Sequence, residues 1–240
     1  MYKFSKSSSY VSALALCLVL SLSLSACSSA GQDASKAGSS AADKTAAASQ
    51  EGQAASSVSD KKELPEAQAA PGYKISTTST NLVDLMMDSG AHIVIELDPK
   101  AAPKTVENFK KLVLGHFYDD LIFHRIIDGF MIQGGDPLGT GVGGAPENIE
   151  GEFKSNGVDN PLSHTRGTVS MARAQDPNSA SSQFFICNAD SQFLDGEYAA
   201  FGRVVYGMEE VDRIAKLPKG SQDRPNTPPH MLRVFFVEAQ

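Results

Sequence analysis

The sequence predicts a mainly β domain, built as a closed antiparallel barrel and preceded by an N-terminal tether. Three observations predict it. After an opening apolar run, the first third of the chain is Ser-, Ala- and Gly-rich with almost no large apolar residue. The remainder is divided into short apolar runs by Gly-rich turns. Only two stretches in it carry a helical spacing, and many short strands with few helices favour a barrel.

Lys3 and Lys6 precede an apolar run over 11–24 with no acidic residue, the layout of an export signal occupying residues 1–26. The run is shorter than the roughly 20 residues of a transmembrane helix. It ends Leu24-Ser25-Ala26-Cys27, which resembles the lipobox of bacterial lipoproteins. The resemblance implies a diacylglyceryl thioether on Cys27, cleavage just before it, and an exported protein held on the extracytoplasmic face of a bacterial membrane. The alternative is an ordinary secretory signal in which Cys27 is incidental. Residues 27–72 read as a flexible linker, too polar to offset the entropy of ordering. A coil of that length spans about 35–40 Å.

The domain is expected over 73–240. The runs Leu82–Met87 and His92–Leu97 flank Asp88-Ser89-Gly90-Ala91, a hairpin signal. In the second run, Ile93, Ile95 and Leu97 alternate with His92, Val94 and Glu96. Ala102-Pro103-Lys104-Thr105 opens a helix, with Pro tolerated in the first turn. Val106, Phe109, Leu112 and Val113 share one face of it, and Gly115 is a stop. Further strands are expected over Leu121–Ile127, 131–133, 167–172, Phe184–Cys187, 201–205 and 231–238, with a second helix over 209–215.

Composition excludes several functions. Lys+Arg number 21 and Asp+Glu 28, a net charge of −7. The first 71 residues carry six of each sign, so the acidic excess belongs to the domain and argues against nucleic-acid binding. Three cysteines are too few for a disulfide scaffold or a thiolate zinc site. The five histidines show no metal-ligand spacing, and neither a metal nor a cofactor is implied. The Gly-rich stretch 139–144 lacks the Lys-Ser/Thr of a phosphate loop. Nothing marks a dimer seam, so a monomer is expected.

Function is carried by blocks. Phe123-His124-Arg125-Ile126-Ile127-Asp128-Gly129-Phe130-Met131-Ile132-Gln133-Gly134-Gly135-Asp136 is followed by Val169-Ser170-Met171-Ala172, Ser182-Gln183-Phe184-Phe185-Ile186 and Phe193-Leu194-Asp195-Gly196. In this order they resemble the cyclophilins, the peptidyl-prolyl cis–trans isomerases, from about Leu82 to Val237. The resemblance implies an eight-stranded antiparallel barrel capped by two helices, matching the eight runs above. It places the substrate groove outside the barrel. It also implies acceleration of rotation about X–Pro bonds, which needs no nucleophile, metal or redox group; with the export signal, the expected substrates are exported proteins.

The resemblance assigns roles to residues. Arg125 donates to the amide nitrogen of a twisted peptide bond, whose lone pair is free only in that state. Phe130, Met131, Phe185 and Leu194 form an apolar proline pocket. Gln133 and the backbone at Arg173 hold the substrate main chain, while Gly139, Ala172, Ala174 and Gln183 shape the groove. Phe193 and Tyr198 line its rim and depart from the common pattern, which has Trp and His there. The chain has no Trp, so the indole donor associated with cyclosporin binding is missing and weaker inhibition is expected. Arg173 stands where Asn is common, and Val142 is an added residue in its loop. The competing reading is a non-catalytic chaperone or adhesin module that binds proline peptides on the same fold.

Overall fold

A computed structural model describes residues 63–240. The signal segment 1–26, Cys27 and most of the proposed linker lie outside the described residues. The elements are β1 (Tyr73–Ile75), β2 (Leu82–Met87), β3 (His92–Leu97), α1 (Pro103–Leu114), β4 (Leu121–Ile127), β5 (Met131–Gly134), β6 (Thr168–Met171), β7 (Phe184–Cys187), β8 (Ala200–Tyr206), α2 (Met208–Ala215) and β9 (His230–Ala239).

All strand pairings are antiparallel, in the order β9-β2-β3-β8-β6-β7-β5-β4. The ring closes where β4 returns to β9, with Leu121 opposite Met231 and Ile122 opposite His230. The eight expected strands therefore form the barrel, and closure removes the exposed edges an open sheet would carry. Strand β1 is a ninth, unanticipated one. It extends the sheet on β9, pairing Tyr73 with Ala239 and Ile75 with Val237.

Alternation along the strands fills the interior. Val83, Leu85 and Met87 from β2 and Ile93, Ile95 and Leu97 from β3 point inward with Ile132, Val169, Phe184, Ile186 and Phe201. Helix α1 starts at Pro103, where the missing N–H has no helical partner to lose. It inserts Val106, Phe109 and Val113, and α2 adds Val211 and Ile214. Phe184 is the hub: the rings of Phe109 and Tyr118 pack edge-on to it at 5.6 Å. The interior is thus packed core, and a ligand site must lie outside it.

The expected linker boundary at Gly72 moves toward the N-terminus. Ala70 is buried and, with Ala69 and Tyr73, covers an outer apolar strip made by Val94, Val237 and Leu82. Its N–H donates to Asp84 Oδ2 at 2.8 Å. Arg233 donates to the carbonyls of Leu64 and Pro65. Asp84 is itself fully buried, with His92 Nδ1 2.9 Å from its other oxygen. Val94, read as belonging to the solvent side of its strand, is buried beneath this arm.

Candidate active site

The β4–β5 hairpin positions the central residues. A bulge between Phe123 and Arg125 leaves Phe123 in the core and turns Arg125 outward. Arg125 pairs in register with Gln133, and Gln133 with Phe185 across the next ladder. Because side chains alternate, Ile126, Ile132 and Ile186 enter the core while Arg125, Gln133 and Phe185 form one row on the outside. Met131 lies one pleat along on the same face, opposite Cys187.

Arg125 is held from two sides. One terminal N–H donates to Gln133 Oε1 at 3.4 Å, and Nε lies 3.9 Å from an Asp223 carboxylate oxygen. Gln133 in turn donates to Gln183 Oε1 at 2.9 Å, and Gln183 donates to the carbonyls of Gly143 at 2.7 Å and Gly141 at 3.1 Å. The row therefore anchors into the Gly-rich loop. Asp136 fixes that loop by accepting from the N–H groups of Leu138, Thr140 and Gly141, which hold its carboxyl below the usual carboxylate range against burial.

Gly135 makes this register possible. Its φ is +83°, and a Cβ there would fall 2.4 Å from the Ser182 carbonyl oxygen. Ser182 uses that closeness to donate to the Gly135 carbonyl at 2.7 Å.

Beside Arg125 lies a cavity of about 180 Å³ lined by Phe130, Met131, Gln133, Ala172, Arg173, Phe185, Leu194 and Tyr198. A second cavity of about 460 Å³ continues past Gln133 and Ala172, between Ala174 and Gln183 on one side and 141–145 on the other. Arg125 and Gln133 also border a third, of about 430 Å³, with His124 and Asp223. The first coincides with the expected apolar pocket; the second runs along Ala172, Arg173, Ala174 and Gln183, the residues expected to line a groove. Larger than any of them is a cleft near Asp98 and Arg203, where Arg203 pairs with Glu96, Arg166 pairs with Asp212, and Asp98 accepts from the backbone N–H groups of Lys100 and Ala101.

Two expected site residues fall outside these linings. Gly139 is buried against Ile122, and its carbonyl accepts from Arg224 instead of facing the groove. Phe193 is 73% exposed and packs at 5.4 Å on the ring of Phe130, so it extends the pocket lip. Sequence reasoning missed Asp223. It comes from a loop in which Gln222 and Asp223 both take left-handed φ angles, 58° and 57°, costly for non-glycine residues.

No group at the mouth is equipped for covalent chemistry. His124 is buried with neither ring nitrogen hydrogen-bonded, and burial, with Arg224 and Arg125 nearby, keeps its pKa low against the pull of Asp136. Burial pushes the Cys187 thiol up to about 12. Ser170, His164 and Asp195 are arranged like a hydrolytic triad, with spacings of 3.0 and 2.8 Å. Ser170 and His164 are wholly buried, however, and His164 stacks against Phe185 at 6.0 Å. The trio braces the pocket floor, and no acyl group can reach that hydroxyl. What remains is a fixed cation beside an apolar niche.

Residues 82–235 match the family described as cyclophilin type peptidyl-prolyl cis-trans isomerase/CLD. The chain belongs to the cyclophilin family. Peptidyl-prolyl cis-trans isomerase-like 1 of Gibberella zeae is 42% identical over 163 residues, 68% of this chain and 98% of the relative. Peptidyl-prolyl cis-trans isomerase ppi1 of Schizosaccharomyces pombe is 45% identical over 146 residues, 60% and 92% of the two chains. A crystal structure of a Cryptosporidium parvum cyclophilin-type isomerase, determined in the presence of the dipeptide Ala-Pro, superimposes with a TM-score of 0.60. It is 32% identical and covers 65% of this chain and 98% of that one. The cyclophilin barrel thus stands on sequence and on shape together.

Proposed function

We propose that this cyclophilin is a peptidyl-prolyl cis–trans isomerase whose Arg125 stabilises the twisted X–Pro bond. The observation that carries the reading is the guanidinium itself, steered by Gln133 and Asp223 to the mouth of the apolar pocket. The proline ring enters between Phe130, Met131, Phe185 and Leu194. The preceding main chain runs along Ala172, Arg173 and Ala174, and Gln133 holds a carbonyl. The Ala-Pro dipeptide named for the Cryptosporidium structure supports this class of ligand.

Rotation about a peptide bond faces a barrier of about 18–20 kcal/mol. Turnover near 10³ s⁻¹ needs about 13 kcal/mol, so roughly 6 kcal/mol must come from the site. Rotation localises the nitrogen lone pair, which then accepts from Arg125; the planar amide offers no such acceptor. The interaction exists only near the top of the barrier, which makes it catalytic.

The protein acts on exported chains while anchored by lipid on Cys27 at an extracytoplasmic bacterial membrane surface, with residues from 28 to the low sixties as a tether. The lipobox-like Leu24-Ser25-Ala26-Cys27 supports this. Changing Cys27→Ala should move the protein from the membrane fraction to the soluble one; unchanged retention would refute anchoring through that sulfur. Exposed Phe193 in place of an indole supports weak cyclosporin inhibition, and Phe193→Trp should strengthen it.

Acceleration of cis–trans exchange in a short prolyl peptide, and of a proline-limited refolding reaction, tests the activity. An enzyme speeds both. A holding module binds the peptide and leaves its exchange rate unchanged.

A further inference from the structure

We propose that the Arg173 side chain is a positioning residue that staples the substrate-facing segment 172–175 to the opposite pocket wall at Tyr198. This rests on the isomerase reading and adds to it a function for the side chain where the family resemblance uses only the backbone.

The geometry is specific. The guanidinium carbon lies 4.8 Å from the Tyr198 ring centre and 5.1 Å from that of Phe153, in cation–π range of both rings. Nε donates to the Glu197 carbonyl at 3.0 Å. One terminal nitrogen donates to the carbonyls of Ala174 at 3.0 Å and Gln175 at 3.2 Å. The other is 3.6 Å from the Glu197 carboxylate. The side chain is only 15% exposed, against 42% for Arg125. Its donors face protein acceptors, so it does not serve as a second cation for the substrate.

Its place explains the effect. Arg173, with Gln133 and Ala172, borders both the proline pocket and the neighbouring groove. The near end of the segment is already fixed, because Ala172 N–H donates to the Gln183 carbonyl at 2.9 Å. At the far end, Ala174 N–H is tied to Ser179 within its own loop. Arg173 carries the tie across the pocket. Tyr198 passes it on by packing edge-on against Phe185 at 5.9 Å. The Arg173 side chain bonds only to Glu197, Ala174 and Gln175 and not to Arg125, Gln133 or Gln183, so its loss is expected in binding before chemistry. Lysine cannot replace it: a point charge on a flexible stem has neither a flat face for two rings nor forked donors.

The test is steady-state isomerase kinetics on the full chain with Arg173→Ala, Arg173→Lys, Tyr198→Ala and the Arg173→Ala/Tyr198→Ala pair. Arg173→Ala and Arg173→Lys should each raise KM about tenfold with kcat within about twofold, in line with loss of a desolvated cation–π contact and its hydrogen bonds. The pair should be no worse than the poorer single, since both break one staple. An independent readout uses folded wild-type protein: the Arg173 Nε–H should give a slowly exchanging NMR signal displaced by ring currents, and Tyr198→Ala should collapse it. A kcat loss at constant KM, rescue by Lys, multiplicative singles, or a solvent-exchanging Nε–H would each overturn the proposal. If wild type shows no turnover, the isomerase reading fails by itself. The same variants are then compared by peptide Kd, where an unchanged Kd overturns the staple.

Discussion

Starting the chain at residue 73 instead of 63 removes the arm that covers the outer face of β2, β3 and β9. The structure sets the size of the effect. Val94 and Val237 lose the cover of Ala69 and Ala70. Exposing about half of each valine costs roughly 2 kcal/mol in total, given 1.5–3 kcal/mol for a whole side chain. The buried carboxylate of Asp84 loses the Ala70 N–H, at roughly 1 kcal/mol once water enters. The two Arg233 bonds, one exposed and one long and partly buried, add little. A loss of about 3 kcal/mol lowers Tm by about 6–12 °C in a domain of this size. Scanning calorimetry of the two forms measures it. The groove lies on β4, β5 and β7, so kcat/KM should stay within about twofold. A Tm drop under about 3 °C would refute the claim that the arm is part of the folded domain.

Two further predictions concern buried groups under the pocket. Burial lowers the His164 pKa below its ordinary 6.5 despite the pull of Asp195. A depressed histidine contributes stability above about pH 6.5 that is lost as pH falls through its folded value. Tm should therefore be flat from pH 7 to 8 and decline in acid, and His164→Gln should flatten the upper part of that decline; identical slopes would contradict the assignment. Cys187, raised to about 12 by burial, should resist iodoacetamide at pH 8 while the protein is folded and react once it is denatured. Mass spectrometry of the peptide containing Cys187 reads this, and rapid labelling of the native state would count against it.

Much of the barrel was legible because its signals are local. Short apolar runs gave β2, β3, β4 and β7 with their observed limits, with clear alternation in β3, and Pro103 and Gly115 bracket α1. The row Arg125, Gln133, Phe185 was legible through its motif blocks, and strand register explains why those blocks meet. The rest depends on distant partners. Ala69 and Ala70 look like linker, since nothing local requires burial of small residues; they are buried because the outside of the barrel is apolar at Val94 and Val237. Valine at 94, interrupting the polar positions His92 and Glu96, was the available hint. Asp223 reaches Arg125 from almost a hundred residues away, on strained backbone no propensity announces. Gly139 was misplaced because its positive φ of 61° serves a turn packed on Ile122, away from the groove. Arg173 was read through its backbone alone, and its side chain draws its meaning from Phe153 and Tyr198.

The central claim is that one guanidinium lowers the rotational barrier. NMR exchange spectroscopy on a peptide with resolved cis and trans X–Pro signals tests it most directly, with wild type and Arg125→Ala at equal occupancy. Loss of a preorganised donor should slow catalysed exchange about 10²–10³-fold, while peptide Kd changes only a few-fold. Equal exchange rates for the two proteins would contradict the mechanism.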